Sequence, residues 1–71
     1  MQREPVQSIS IQSAAYEPDS KTLEVEFLQS GAVYAYFDVP PDLFSAFRAS
    51  RSKGRFFNRR IRNAFPCTRV G

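Results

Sequence analysis

The sequence predicts an α+β domain, a three-stranded antiparallel meander with one or two short C-terminal helices packed on one face. Three observations carry that expectation. Thr22-Leu23-Glu24-Val25-Glu26-Phe27 alternates apolar and polar residues at the two-residue period of a half-buried strand. Pro40-Pro41 then ends the strand-forming part of the chain, and beyond it Leu43, Phe44 and Phe47 recur at helical spacing. Charge divides close to the same place: Met1 to Phe47 holds two Lys or Arg and all seven acids, whereas Arg48 to the end holds eight Lys or Arg and no acid. The net charge of +3 is thus −5 plus +8, and the chain is dipolar.

At 71 residues the chain is one domain, 1–71, with an ordered core expected over about 8–66, a flexible arm over 1–7 and a tail over 67–71. A chain this short buries only about 60% of its unfolded surface, so its stability needs a dense core. One cysteine excludes an internal disulfide, and the absence of histidine argues against a zinc site. Seven Phe and three Tyr supply the packing material instead. The first residues lack an apolar signal-like segment, and the longest apolar run, Ala32 to Phe37, is too short to span a bilayer. The reading is a cytoplasmic protein with no membrane association, and a lone Cys67 agrees with a reducing compartment.

Residues 1–7 are polar and interrupted by Pro5, hence the arm. From Ser8, Ile9 and Ile11 alternate with polar neighbours and mark a first strand. Glu17-Pro18-Asp19-Ser20-Lys21 gathers turn formers around a proline that cannot sit in a central ladder. The second strand is Thr22 to Phe27, whose register is fixed because a one-residue slip would bury Glu24 and Glu26. Gln29-Ser30-Gly31 turns the chain into a third strand, Val33 to Asp38, apolar on both faces. Short connections make the three strands an antiparallel meander.

Pro41 suits a first helical turn and Asp42 suits the positive end of the helix dipole, so a helix is expected from about Pro41 to Ala49. Ser50 to Ser52 breaks the pattern. Ser52 is a good N-cap for a second helix through about Arg62, although Gly54 weakens its first turn by about 1 kcal/mol relative to alanine. Ser52 to Arg62 packs five cations and three large apolar residues into eleven positions. On a helix, Arg55, Arg59 and Arg62 form one stripe and Phe57, Ile61 and Ala64 the other side, with Arg60 among the apolar group and obliged to snorkel. Cys67 to Gly71 reads as a tail or a short edge strand.

Three features in this order resemble the KTSC domain, a small module at the C-terminus of some lysyl-tRNA synthetases and a free-standing bacterial and phage protein. They are Tyr34-Ala35-Tyr36, the following Asp38-Val39-Pro40, and Ser52-Lys53-Gly54-Arg55-Phe56-Phe57-Asn58 leading into Ile61-Arg62. The match covers roughly Ile9 to Phe65. The attachment to a tRNA-charging enzyme is what suggests RNA binding for the family. Between the tyrosines the family often carries a polar residue, where this chain has Ala35.

The basic third suggests a partner. Cations set against phosphates release condensed counterions, so Arg48, Arg51, Lys53, Arg55, Arg59 and Arg62 are the candidate contacts for RNA, preferred, or DNA. The bland reading makes the same arginines a solvated face or partners of Glu24, Glu26 and Asp42. A third makes them a docking face for an acidic protein partner. Tyr34, Tyr36 and Phe56 are candidate base-stacking rings. Tyr34 and Tyr36 stand about 6.6 Å apart on one strand face. The family's polar middle residue argues that this face turns inward, so burial is the favoured reading of the tyrosines. Gly54 between Lys53 and Arg55 could approach a phosphate, but the spacing is not that of a nucleotide-binding loop. With no histidine, no partner to activate Cys67 and no pocket implied around Glu24 and Glu26, the chain is not read as an enzyme, and no cofactor or metal is expected. Oligomeric state leaves no mark on the sequence.

Overall fold

The computed structural model describes Glu4–Pro5 and residues 10–71. Five strands form one antiparallel sheet in sequence order: β1 Glu4–Pro5, β2 Ile11–Glu17, β3 Thr22–Phe27, β4 Val33–Tyr36 and β5 Cys67–Arg69. Helices α1, Pro41–Ala49, and α2, Lys53–Arg60, lie between β4 and β5 in sequence and cover one face. The α+β meander is therefore present, widened by a short strand at each edge. The first of these falls inside the expected arm, where Glu4 pairs with Ala14 and Pro5 with Ser13. The rest of the expected arm, and Ile9, lie outside the described residues.

Register decides which side chains meet the helices. Ala14 pairs with Val25 and Val25 with Tyr34, while Tyr16 pairs with Leu23 and Leu23 with Tyr36. These rows face α1 and α2. Glu24 and Glu26 take the opposite face, where Ser13 Oγ donates to Glu26 Oε1 at 2.8 Å. An irregularity between Ile11 and Ser13 inserts Gln12 into β2. Simple alternation would put Ile11 on the Ser13 face; the bulge turns it to join Ala14 in the core.

The third strand is shorter than the sequence suggested, ending at Tyr36 rather than Asp38. Asp38 has φ 62°, a left-handed conformation that no strand continues through. That bend buries Val39 completely and lets its N–H donate to the Lys21 carbonyl at 2.9 Å. Gly31, at φ +70°, makes the β3–β4 turn, its N–H donating to Phe27 O at 2.9 Å.

Helix α1 has the expected bounds, with Pro41 in the first turn, Asp42 beside it and Arg48 in the last. Its Phe47, 1% exposed, meets Phe57 of α2 and Ile61 just beyond it in a core closed below by Leu23, Val25 and Tyr36. Phe57 packs edge-on against both Phe27 (centroids 5.6 Å apart) and Tyr36 (5.1 Å). Residues 67–71 are not a free tail. Cys67, Thr68 and Arg69 pair with Tyr36, Ala35 and Tyr34, and the Val33 N–H donates to the Gly71 carbonyl at 3.1 Å.

Candidate functional site

The start of α2 is built differently from the sequence expectation. Ser52 occupies the N-cap position, but its hydroxyl makes no capping hydrogen bond. The first N–H of this segment to bond back is that of Phe56, to Ser52 O at 2.9 Å. Beside this helix start lies a groove of about 730 Å³, bounded by Arg51, Lys53, Gly54 and Arg55 on one side and by Gln29 and Ser30 of the β3–β4 turn on the other. Lys53 Nζ donates to the Ser50 carbonyl at 3.0 Å, which holds its chain against the α1–α2 link.

A second groove of about 520 Å³ adjoins the first, sharing Ser10, Phe27, Ser30 and Asn58 with it. It runs between the C-terminal half of α2 and the β4–β5 edge. Half-buried Phe27 and Tyr34 give it aromatic surface over the buried rings of Tyr36 and Phe57, and Arg62, Asn63 and Arg69 rim it. Arg62 Nη1 donates to Asn58 Oδ1 at 3.3 Å, linking the two grooves. Arg69 is there because β5 pairs in register with Tyr34, which sets both side chains on the helix-facing side.

The six expected cations are therefore not one surface. Arg51, Lys53 and Arg55 converge on the first groove and Arg62 reaches the second. Arg59 is exposed between them and lines neither. Arg48 sits apart on α1, its guanidinium 5.8 Å over the Phe44 ring. Among the described residues, no carboxylate forms an ion pair with Arg51, Lys53, Arg55, Arg59 or Arg62. Arg60 does snorkel, lying 5.6 Å over the Phe56 ring.

Of the three candidate stacking rings, two are removed by their surroundings. Tyr36 is 3% exposed, and its hydroxyl is pushed up to about 12 by burial first and by the Cys67 thiol beside it, with Arg62 pulling the other way. Phe56 is half-buried between Phe47, at 6.1 Å, and the Arg60 guanidinium. Tyr34 remains, half-buried against Phe27 and bordering the second groove. Asn58 enters the sequence reading only within the family motif, and Asn63 and Arg69 carry no local signal; the β4–β5 pairing is what brings Arg69 to the same groove as the two asparagines. No group of three metal-binding side chains, and no helix long and apolar enough to cross a membrane, occurs among the described residues.

Comparison with known proteins places this architecture. The model of the KTSC domain family matches residues 7–65. A crystal structure of a KTSC domain protein from Yersinia pestis superposes with a TM-score of 0.94 at 41% identity, covering 99% of this chain and 97% of that one. A Stutzerimonas stutzeri protein is 47% identical over 58 residues, 82% of this chain and 80% of its own length. A lysine–tRNA ligase of Nostoc punctiforme is 42% identical over 55 residues, 78% of this chain but 10% of that enzyme.

Proposed function

The chain belongs to the KTSC domain family, and we propose that it is a small nucleic-acid-binding module, RNA preferred, that works in the cytoplasm through phosphate contacts without strong sequence readout. The observation that carries this reading is the convergence of Arg51, Lys53 and Arg55 on one groove at the start of α2, with Arg62 on the adjoining groove and Arg59 exposed on the same helix. Three cations around one groove favour an oxyanion of a phosphodiester chain. The open groove side is formed by Gln29 and Ser30, which carry no opposing charge. The preference for RNA draws on the Nostoc relative, an enzyme named for tRNA, in which the matched segment is 10% of the length.

Titration of labelled protein with structured and single-stranded RNA at low and near-physiological salt tests this. Binding is expected to weaken steeply with salt, with a slope on the logarithmic scale of about 0.7 to 0.9 per phosphate neutralised. The Arg55→Ala, Arg59→Ala double variant is expected to lose about one unit of slope per arginine that contacts phosphate. Its folding should change little, by about 0.5 kcal/mol or less at each exposed site. Absence of RNA and DNA binding at low salt overturns the proposal and leaves an acidic protein surface as the partner to seek; unfolding of the double variant would mean that the arginines serve the fold.

A further inference from the structure

The second groove differs in chemistry from the first. The first is cationic and polar, suited to a phosphate backbone. The second joins aromatic walls to two asparagine amides and two guanidinium groups within about 520 Å³, a size inside the ordinary range for small-ligand sites, about 300 to 1,000 Å³. We propose that it takes a single unpaired nucleotide: the base lies against Tyr34, its edge is read by Asn58 and Asn63, and its phosphate is held by Arg62 and Arg69. This rests on the nucleic-acid reading of the neighbouring groove and adds to it a separate site with a preference for unpaired bases.

Each part follows from a named group. Tyr34 is the one candidate ring that combines partial exposure with a place on the groove, and Phe27 braces it edge-on, centroids 5.8 Å apart. A base has a π-face whatever its identity, so a braced tyrosine accepts any of them. The Asn63 amide is exposed and, among the described residues, has no hydrogen-bond partner, and a side-chain amide offers a donor and an acceptor side by side, the pattern that pairs with a base edge. Asn58 already accepts from Arg62 through Oδ1, which leaves its amino group to donate. Among the described residues Arg69 spends only its Nε, on the Gly71 carbonyl at 3.0 Å, so its terminal nitrogens stay available to an anion. A base inside a duplex cannot reach Tyr34, because its faces are already stacked; an unpaired residue can.

The source of the nucleotide, a strand or a free mononucleotide, is separated by the arms of one experiment on the full chain. A short single strand, the same sequence as a duplex, and a 5′-mononucleotide are titrated against the wild type and against Asn63→Ala, Arg69→Ala, Tyr34→Phe and Tyr34→Leu. The single strand is expected to bind about tenfold more tightly than the duplex, Tyr34→Leu to remove about that factor, and Tyr34→Phe, which keeps the ring, to retain it. Asn63→Ala should flatten the differences among homopolymer strands. Saturable mononucleotide binding, lost in Arg69→Ala, would identify a free nucleotide as a ligand of the same chemistry. Because Tyr34 is half-buried, a melt accompanies each variant. If Tyr34→Leu does not fold, Asn63→Ala and Arg69→Ala, both exposed, decide alone. Equal binding of strand and duplex, with Asn63→Ala and Arg69→Ala unchanged, overturns this inference while the salt-dependent binding at the first groove stands. Absence of all binding overturns both.

Discussion

Helix α2 has two faces that share eight residues and almost nothing else. Inward it sets Phe57, 1% exposed, and just past its end Ile61, fully buried, into the core beside Phe47 and Tyr36. Outward it carries Arg55 and Arg59, exposed and, among the described residues, in no ion pair. The inner face alone accounts for why the helix sits where it does. A helix this short is unstable in isolation, and tertiary burial of its apolar side must hold it. The outer face is therefore positioned by the fold without contributing to it, which is the physical condition for a surface available to a partner.

The strongest way to break this comparison is to remove the inner anchor. Phe57→Ala deletes a ring packed against both Phe27 and Tyr36, and such truncations cost about 3 to 5 kcal/mol. A small domain has about 5 to 15 kcal/mol in total, so urea unfolding of the variant should begin near zero denaturant or lose its cooperativity. A midpoint close to that of the wild type would show that α2 is held by something other than its inner face.

The inner face was the more legible of the two in sequence. Thr22 to Phe27 announced both its strand and its buried side, because strict alternation admits one register. Pro40-Pro41 fixed the start of α1, since proline tolerates only the first helical turn. What escaped were features without a local signature. The Gln12 bulge and the left-handed Asp38 depend on contacts with distant chain, and no composition marks them; Cys67 to Gly71, open in sequence between a tail and a short edge strand, is decided for the strand by its pairing with β4. The site divides the same way. Arg51, Lys53 and Arg55 are near neighbours in sequence and their convergence follows from a helix start, whereas Arg69 joins Asn58 and Asn63 only once β5 is docked on β4. Ser52, by contrast, had the composition of a cap and lacks the bond.

Alkaline pH sharpens the comparison through Tyr36, the residue that Phe57 covers. Its hydroxyl stands at about 12 against an ordinary 10.0, so the folded state favours the neutral phenol. The contribution is complete below pH 10, where folded and unfolded chains are both protonated. It is lost as pH rises through 12, because the unfolded chain releases its proton first. The expected loss is about 2 to 3 kcal/mol across that window. Tyr16, also raised by burial, adds in the same direction. Urea midpoints measured from pH 8 to pH 12 test it: the fall should be shallower in Tyr36→Phe, and equal slopes in the two proteins would place the titrating group elsewhere.

The smallest effect belongs to the point where the two faces of α2 begin. A serine that caps a helix through its hydroxyl is worth about 1 kcal/mol, and its replacement by alanine is felt. Ser52 has the extended backbone of a cap, φ −125° and ψ 90°, yet its hydroxyl bonds to no helix donor. Ser52→Ala should therefore shift stability by only a few tenths of a kcal/mol, read as the change in urea midpoint at constant slope. The residues of this uncapped first turn line the groove of Arg51, Lys53 and Arg55, and a helix start without a side-chain cap leaves its donors to other partners. A loss near 1 kcal/mol in Ser52→Ala would mean that the hydroxyl does cap α2 in solution. The start of the helix would then belong to the fold, and the division between its anchored and available faces would begin one turn later, at Arg59.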